Sequence, residues 1–454
     1  MLCRIAAPCL LMFTLSTPVA TLAQTGFGDF SDRVDLVFAE WDNDDSPGCA
    51  VGVIGDGEFL YKRGYGMADL ETGTPIATDG VFYMASVSKQ FVAASLALLA
   101  LDGAISMDDD VRRYIPELPD YGHTITLRHL VTHTSGIRDY LELMGMAGMP
   151  FGDVYVPQQI LQLIVNQEAL NFVPGERYSY SNSAYFLIPL IIERVTGKTF
   201  RDFANERIFT PLEMTSTGFH DDHTRPVPNR VFSYGTNDED EIVRTFLDNF
   251  DQVGSGGLLS TVDDMIKWDR NFYDPVVGGN ALIEMTTTRG IFNSGDTSNY
   301  AFGLQIQEYK GERTVSHTGS MMGFKTAILR FPEQRFTVVA LCNLGEIVPM
   351  NLSYDIANIY LGDTFSENLS EFEGVYRSKE LGIQWTVELD GQELTWTPSY
   401  ENGETGTLEF REPRVFRARG VTVTFQTDGN STITGFILDG GRAQGIKFEK
   451  ISVP

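Results

Sequence analysis

The chain has 454 residues, with 34 Lys and Arg against 61 Asp and Glu, so its formal net charge at neutral pH is −27. Hydrophobic residues make up 43% and charged residues 21%, a globular composition that excludes a disordered or collagen-like chain. The acidity also argues against a nucleic-acid-binding protein and against docking on anionic membranes, because both surfaces would repel it.

The first residues have the pattern of a secretory signal peptide. A short basic start, Met1–Arg4, is followed by an apolar run to about Phe13, and Thr21–Ala23 places small residues where a signal peptidase reads them. A membrane anchor fits less well, because Ser16–Pro18 interrupts the run before about 20 apolar residues. We expect cleavage after Ala23 and a periplasmic or secreted protein.

Cleavage there would remove Cys3 and Cys9 and would leave Cys49 and Cys342. Two cysteines so far apart in sequence make neither a disulfide scaffold nor a zinc site. From the residues alone, they are either two buried thiols or a single pair in an oxidising compartment.

The early part of the chain predicts a sheet beside a buried helix. Apolar spacing predicts a helix from Phe30 to Trp41, and the run 47–54 predicts a buried strand before a hairpin turn at Asp56-Gly57. The stretch Ser86–Asp102 is apolar almost all round, which predicts a helix in the centre of the domain.

The later part predicts that the same sheet is completed after a helical insertion, which runs from about residue 108 to 293. Three strands and a last helix are then predicted at Arg313–His317, Lys325–Phe331, Phe336–Asn343 and Met350–Tyr360.

The C-terminal part changes character. Short strand candidates separated by hairpin turns predict an antiparallel barrel. We therefore expect a signal peptide over 1–23, a first domain over 24–362, a polar linker over 363–370 and a barrel domain over 371–454.

The first chemical motif is Ser86-Val87-Ser88-Lys89. Residues three apart on a helix share a face, so Ser86 and Lys89 are predicted neighbours. A lysine in a mostly apolar environment loses proton affinity and can activate a serine nucleophile. The alternative interpretation is an N-capping serine and a surface lysine, and so short a motif also occurs by chance.

Two further motifs supply groups that such a nucleophile needs. In Tyr180-Ser181-Asn182, a tyrosine can transfer protons and an asparagine amide can hold a substrate carbonyl. His317-Thr318-Gly319 ends a predicted strand, where glycine would let a substrate approach closely. The amide of the next residue, Ser320, would be free to point at an oxyanion. Each motif alone also fits an ordinary loop or strand end.

Taken together in this order, the three motifs resemble those of the serine β-lactamase and penicillin-binding-protein clan, in its class C β-lactamase and D-aminopeptidase/esterase branch. The segments 82–85, 125–136 and 256–261 strengthen the resemblance, which covers about residues 30–362. It implies an α+β fold, with a helix-flanked antiparallel sheet and an all-α insertion. The tail resembles the lipocalin-like β-barrel appended to some of these hydrolases.

The resemblance also implies roles for the residues. Ser86 would be the acylated nucleophile, Lys89 its base partner, and Tyr180 the second base and the acid to the leaving group. Asn182 would bind substrate, as would the strand His317–Gly319. The backbone N–H groups of Ser86 and Ser320 would form the oxyanion hole. No cofactor and no metal ion are expected.

One departure bears on the substrate. Many members with β-lactamase or carboxypeptidase activity have lysine where this chain has His317, and neutral histidine attracts a carboxylate more weakly. Esters, amides or D-amino-acid peptides are therefore expected, acted on by an exported serine hydrolase. The alternatives are a β-lactamase or DD-peptidase, and a catalytically silent homologue that binds peptides or peptidoglycan.

His129 and His133 lie four apart but lack an intervening glutamate, so structural roles are expected instead of a metal pair.

In the resembled family the first and last strands of the sheet are neighbours. This implies that Cys49 and Cys342 lie opposite each other and could form a disulfide.

Overall fold

The computed structural model describes residues 28–451 except 151, 246–250, 392, 401–402, 413, 429–431 and 442. The predicted signal peptide and its cleavage after Ala23 lie outside the described residues and stay predictions.

The helices of the described residues are mostly short. In chain order they are α1 Ser31–Val37, α2 Lys89–Leu101, α3 Leu127–Val131, α4 Tyr140–Met146, α5 Pro157–Val165, α6 Asn182–Thr196, α7 Phe200–Ala204, α8 Val262–Arg270, α9 Gly279–Thr287 and α10 Pro349–Leu369. A 3₁₀ turn at Ala85–Ser88 leads directly into α2.

The strands fall into an early group, a middle group, a late group and a C-terminal run. They are β1 Cys49–Gly55, β2 Glu58–Tyr65, β3 Met67–Asp69, β4 Thr74–Pro75, β5 Phe82–Tyr83, β6 Gly218–Phe219, β7 Ser233–Thr236, β8 Ile242–Thr245, β9 Leu258–Ser260, β10 Gln305–Tyr309, β11 Glu312–Met321, β12 Phe324–Phe331, β13 Phe336–Cys342, β14 Gly374–Ser378, β15 Ile383–Asp390, β16 Glu393–Pro398, β17 Gly406–Glu412, β18 Val415–Ala418, β19 Val421–Thr427, β20 Ile433–Gly440 and β21 Ala443–Ile451.

The main sheet confirms the prediction of a sheet begun early and completed late. Its order is β10-β11-β12-β13-β1-β2, and all neighbours are antiparallel. Residues of β1 alternate between two cores: Ala50 and Ile54 join the core around α2, whereas Val51 and Val53 join the core that includes residues of α1 and α10. Because both faces are covered, this strand is apolar along its whole length.

Helix α2 lies in the centre of the larger core, as its all-round apolar sequence predicts. Its residues from Lys89 to Leu99 are buried. The helix packs against α6 and α9, which both belong to the insertion.

Four predicted elements differ from the structure. The first helix ends at Val37 instead of Trp41, and the strand predicted to end at His317 continues to Met321. The insertion, expected to be all-helical, also holds the hairpin β7–β8 and the strands β6 and β9, which form a small sheet with β5 through the run Leu258–Ser260. The last helix, predicted to end at Tyr360, continues to Leu369 through the segment expected as a linker. Its polar C-terminal residues hid the continuation, because they lack an apolar stripe.

The barrel prediction is confirmed. Strands β14 to β21 close into an eight-stranded antiparallel barrel, in sequence order. Aromatic side chains fill its core, with Trp385 stacked on Trp396 at 4.0 Å between ring centroids and Phe436 on Phe448 at 4.5 Å. None of the helices formed by the described residues is long and apolar enough to cross a membrane.

A disulfide joins two neighbouring strands in the interior of the sheet, β1 and β13. Cys49 lies directly opposite Cys342 in the strand register, and the two sulfurs are bonded. The bond spans 293 positions of the sequence and links β1 and β13, the first and last strands of the sheet in chain order.

Replacing both cysteines, as Cys49→Ala with Cys342→Ala, should lower the free energy of unfolding by about 2–5 kcal/mol, because the cross-link restricts the unfolded chain. Chemical denaturation of the protein beginning at residue 24 would measure this. The unreduced, unfolded parent protein should show no reactive thiol; two titratable thiols would contradict the disulfide.

Candidate active site

Ser86 lies on the tight turn that precedes the central helix, and Lys89 is the first residue of that helix. In a 3₁₀ turn residues i and i+3 eclipse each other, more closely than on an α-helix. The Lys89 Nζ accordingly lies 2.9 Å from the Ser86 Oγ. Ser86 is half-buried and reachable from outside, whereas Lys89 is fully buried.

The turn is held by tight packing against β11. Ala85 has φ +46°, a left-handed conformation that costs free energy for a residue other than glycine. A Cβ on Gly319 would lie 2.4 Å from the Met84 carbonyl oxygen and 2.3 Å from the Thr326 Oγ1. A close approach between the strand and the Ala85–Ser88 turn therefore already requires glycine at 319, and the substrate contact of Gly319 stays a prediction.

Lys89 is surrounded by oxygen acceptors in a dry environment. Its Nζ donates to the Asn182 Oδ1 at 2.9 Å and to the Ser255 carbonyl at 2.5 Å, besides its contact with Ser86. Burial lowers the pKa of Lys89 from 10.5 to about 7, and Asp139 opposes part of that shift. A substantial fraction of Lys89 is then neutral near pH 7 and able to accept a proton.

Tyr180 lies beside both Ser86 and Lys89. Its ring centroid is 4.8 Å from the Lys89 Nζ. Burial raises the pKa of Tyr180 well above its usual value of 10, and a hydrogen bond with Ser86 offsets part of that rise. The phenol thus keeps its proton near neutral pH, which suits a proton donor or relay, while Lys89 is the group whose pKa suits a base.

The loop that carries Tyr180 and Asn182 is fixed by the segment after α3. The backbone amide of Asn182 donates to the Asp139 Oδ2 at 2.5 Å, and the Ser183 hydroxyl donates to the Arg138 carbonyl at 2.6 Å. Ser181 caps α6, its Oγ accepting from the Ala184 amide at 3.3 Å. These contacts place Asn182 at the first position of α6, with its amide oxygen on Lys89.

The exposed edge of β11 forms the wall opposite the tyrosine. The pairing of β10 with β11 stops at Gln305 and Ser316. Beyond Ser316, the edge of β11 packs against the Ala85–Ser88 turn. Along antiparallel strands, pairs of residues that bond to each other alternate with pairs that do not. The β11–β12 hairpin closes with the bonded pair Met321 and Phe324, so the next pair, Ser320 and Lys325, is a non-bonded one. The Ser320 amide then points away from β12, towards the cleft that Ser86 and Ser320 line together.

His317 is buried and already fully hydrogen-bonded. Its Nδ1 lies 2.6 Å from the Thr318 carbonyl and must donate, so its Nε2 accepts from the Tyr300 hydroxyl at 2.8 Å. Burial, together with the nearby charge of Lys89, lowers the pKa of His317 to about 3. A neutral imidazole with both nitrogens bonded offers no charge to a substrate carboxylate, whereas Thr318 and Ser320 are exposed on the same strand.

Both His129 and His133 accept a hydrogen bond from a backbone amide through Nδ1. The His129 Nδ1 accepts from the Thr126 amide at 3.2 Å and completes a helix cap, and the His133 Nδ1 accepts from the Ser181 amide at 3.0 Å. Among the residues that the structure describes, no group of three or more His, Cys, Asp or Glu side chains is arranged to hold a metal ion.

Several site residues were not identified from the sequence. Asp139 anchors Asn182, the Ser255 carbonyl binds Lys89, and the Tyr300 hydroxyl donates to the His317 Nε2. Lys325 donates to the Ser320 Oγ at 2.7 Å and brings a cation to the rim of the cleft. None of these residues lies in a short motif, and two act through backbone atoms or a partner strand, so only the fold brings them to the site.

Comparison with known proteins gives one consistent family. The sequence model described as Beta-lactamase matches residues 34–353. Penicillin-binding protein 4* of Bacillus subtilis (strain 168) is 32% identical over 304 residues, which cover 64% of this chain and 66% of that protein. A D-aminopeptidase of Brucella anthropi is 30% identical over 354 residues, 76% of this chain and 66% of that protein. The alignments thus span just under two thirds of these relatives.

Among solved structures, the octameric penicillin-binding protein homologue from Pyrococcus abyssi superposes with a TM-score of 0.64. It is 24% identical, and the match covers 92% of this chain and 98% of that chain. This likeness concerns the fold, and it includes most of the residues beyond the sheet and helical insertion.

The low pKa of Lys89 predicts how the reactivity of Ser86 depends on pH. The rate of Ser86 modification by an organophosphonate should be low in acid, rise as Lys89 loses its proton at about pH 7, and level off above that. Mass spectrometry of the adduct across about pH 5 to 9 measures it, with Ser86→Ala as the control. A rate that rises only near the pKa of an exposed lysine would contradict the assignment.

Proposed function

The chain belongs to the Beta-lactamase family of serine hydrolases, and from this premise we propose that it cleaves esters, amides or D-amino-acid peptides through an acyl-enzyme on Ser86. The observation that carries the proposal is the 2.9 Å contact between the Ser86 Oγ and the buried Nζ of Lys89. A half-exposed hydroxyl beside an amine of lowered proton affinity is the arrangement of an activated serine nucleophile.

The proposed reaction has two steps. Neutral Lys89 accepts the Ser86 proton as the Oγ attacks the substrate carbonyl, and the amides of Ser86 and Ser320 stabilise the oxyanion. Tyr180 delivers a proton to the leaving group as the bond between that group and the carbonyl carbon breaks, and it regains a proton from protonated Lys89. Water then attacks the acyl-enzyme and its proton passes to the Ser86 Oγ, so the free acid is released and the Ser86 hydroxyl is restored. The Asn182 side chain binds Lys89 and the substrate, and so keeps the substrate carbonyl close to the base.

The proposed substrate is uncharged at the position where it meets β11. His317 is neutral and has both ring nitrogens bonded. A neighbouring cavity of about 370 Å³, lined by aromatic, hydroxyl and amide side chains such as Tyr178 and Gln305, fits uncharged groups as well. The net charge of −27 also disfavours anions at long range. A D-aminopeptidase among the relatives agrees with a substrate of this kind.

A second candidate is a β-lactamase or DD-peptidase, whose substrates carry a carboxylate. One observation favours it: Lys325 places its Nζ on the Ser320 hydroxyl, at the rim of the cleft. The nearby Glu346 lies close enough to interact with Lys325 electrostatically, which weakens the attraction of this cation for an anionic substrate. We therefore rank this candidate below the first.

We also propose that the protein is exported, to the periplasm or the exterior. The sequence of residues 1–23 supports this, and so does the disulfide, because such bonds persist in oxidising compartments. Mass spectrometry of the protein recovered from the producing cell would test it: a mature chain beginning at residue 24 is expected, and an intact Met1 in the cytoplasm would contradict it.

The substrate class is tested by turnover. Short-chain nitrophenyl esters and D-aminoacyl amides should be hydrolysed, and Ser86→Ala should lose activity by at least about 1,000-fold because it removes the nucleophile. A chromogenic cephalosporin should be turned over more slowly than the esters. Faster cephalosporin turnover would favour the second candidate, and a folded protein that forms no Ser86 adduct would instead be a silent binding homologue.

Lys325→Met separates the two candidates at the level of one residue. If the substrate carries no carboxylate, this change should alter kcat/KM by less than about threefold, because an exposed charge contributes little to a neutral ligand. Lys379→Met, in the exposed Lys379–Glu449 pair of the barrel, is the matched control. A selective rise in KM of about tenfold or more for carboxylate-bearing substrates would identify Lys325 as their receptor.

A further inference from the structure

His133 contacts both residues that flank Tyr180. Its carbonyl oxygen accepts from the Ser179 amide at 2.9 Å, and its side-chain Nδ1 accepts from the Ser181 amide at 3.0 Å. One residue thus fixes the backbone immediately before and immediately after the tyrosine. Such a bracket leaves Tyr180 little freedom to shift along or rotate about the loop.

The imidazole also packs on the tyrosine itself. The ring centroids of His133 and Tyr180 are 4.2 Å apart with an interplanar angle of 36°. Tyr185 and Tyr300 close the other sides, at 4.9 Å and 4.7 Å between centroids. His133 is fully buried, so its ring acts as a wall for the Tyr180 ring and sets how far the phenol lies from Ser86.

The backbone of His133 is adapted to this place. Its φ is +56°, in the left-handed region, and this turns its carbonyl and its side chain towards the same loop. Its Nε2 has no hydrogen-bond partner among the described residues, so its bonds to the protein through the ring run through Nδ1 alone. The Nδ1 must be unprotonated to accept, and burial among Lys89 and His317 keeps the pKa of His133 well below its usual range.

We propose that His133 is the positioning residue of Tyr180: it holds the phenol where a proton can pass to the leaving group, without itself touching substrate. The proposal rests on the function proposed for Ser86 and Tyr180, and it deepens that function by naming the group on which the proton transfer depends. Two hydrogen bonds to the residues on either side of Tyr180 and one ring contact with Tyr180 itself carry the proposal.

The neighbouring histidine shows how the roles differ. His129 makes the same kind of contact, from a backbone amide to Nδ1, only four residues earlier. Its partner is Thr126, at the cap of α3, and not the loop of Tyr180. His129→Asn is therefore a control that makes the same chemical change in the same segment.

The test compares two substitutions of His133. Asparagine carries its side-chain oxygen at the place of Nδ1 and tolerates a left-handed backbone, so His133→Asn should keep the bond to Ser181. Glutamine carries its amide farther out, so His133→Gln should lose that bond. The readout is the ratio of kcat for a D-aminoacyl amide to kcat for a nitrophenyl ester, because the amide needs a proton on its leaving group and nitrophenolate does not.

His133→Gln should lower amide turnover about 10–100-fold more than ester turnover, and His133→Asn should recover most of the loss. Tyr180→Phe should show the same preference, and adding His133→Gln to Tyr180→Phe should cause less than about twofold further loss, since both changes remove one proton transfer. His129→Asn should leave the ratio unchanged.

Three results would overturn the proposal. One is an equal loss for amide and ester, which indicates general disturbance of the site. Another is full additivity of the His133 and Tyr180 changes. The third is failure of both His133 variants to fold, judged by circular dichroism, which would make His133 a residue of stability. If the parent protein forms no Ser86 adduct, the proposed function itself fails, and that outcome is recognised before any His133 variant is made.

Discussion

The site depends on the burial of one amine, the Nζ of Lys89, away from water. Lys89 is wholly buried, yet its Nζ meets three oxygens, those of Ser86, Asn182 and Ser255. Taking an ammonium out of water disfavours its charged form, so burial rather than any single partner lowers its pKa to about 7. The acceptors keep the amine from being an unsatisfied polar group, and the low proton affinity makes it useful beside a serine.

Much of the fold serves to bring those three oxygens together. Ser86 comes from the turn before α2, Asn182 from the start of α6, and Ser255 from the segment before β9. The turn is strained at Ala85 and packed against Gly319 with no room for a Cβ, which holds the nucleophile rigidly against the edge of β11. The disulfide between Cys49 and Cys342 fastens the same sheet two strands away.

Local features and the split main sheet were predictable from the sequence, whereas most contacts between distant residues at the site were not. The Ser86–Lys89 spacing, the buried helix α2 and the strand-and-turn rhythm of the barrel all follow from patterns within a few residues. Asp139 and Tyr300 act across gaps of 43 and 17 residues, on Asn182 and His317, and no motif marks them. The end of α10 was missed because its polar last turns carry no periodic signal, and the purpose of Gly319 became visible only with Met84 beside it.

The proposed preference for uncharged substrates follows from the distribution of charge around the site. His317 is neutral because it is buried and bonded on both sides, and Lys325 is the cation at the rim whose charge Glu346 moderates. The net negative charge of the protein and the neutral His317 would both disfavour the binding of anionic ligands.

The most direct test is to titrate Lys89 itself, by NMR of protein labelled with ¹³C at the lysine side chains. The Lys89 signal, assigned by its loss in Lys89→Met, should titrate near pH 7, separated from the exposed lysines. A Lys89 that titrates with the others, near 10.5, would contradict the account, because a fully charged lysine could not serve as the base for Ser86.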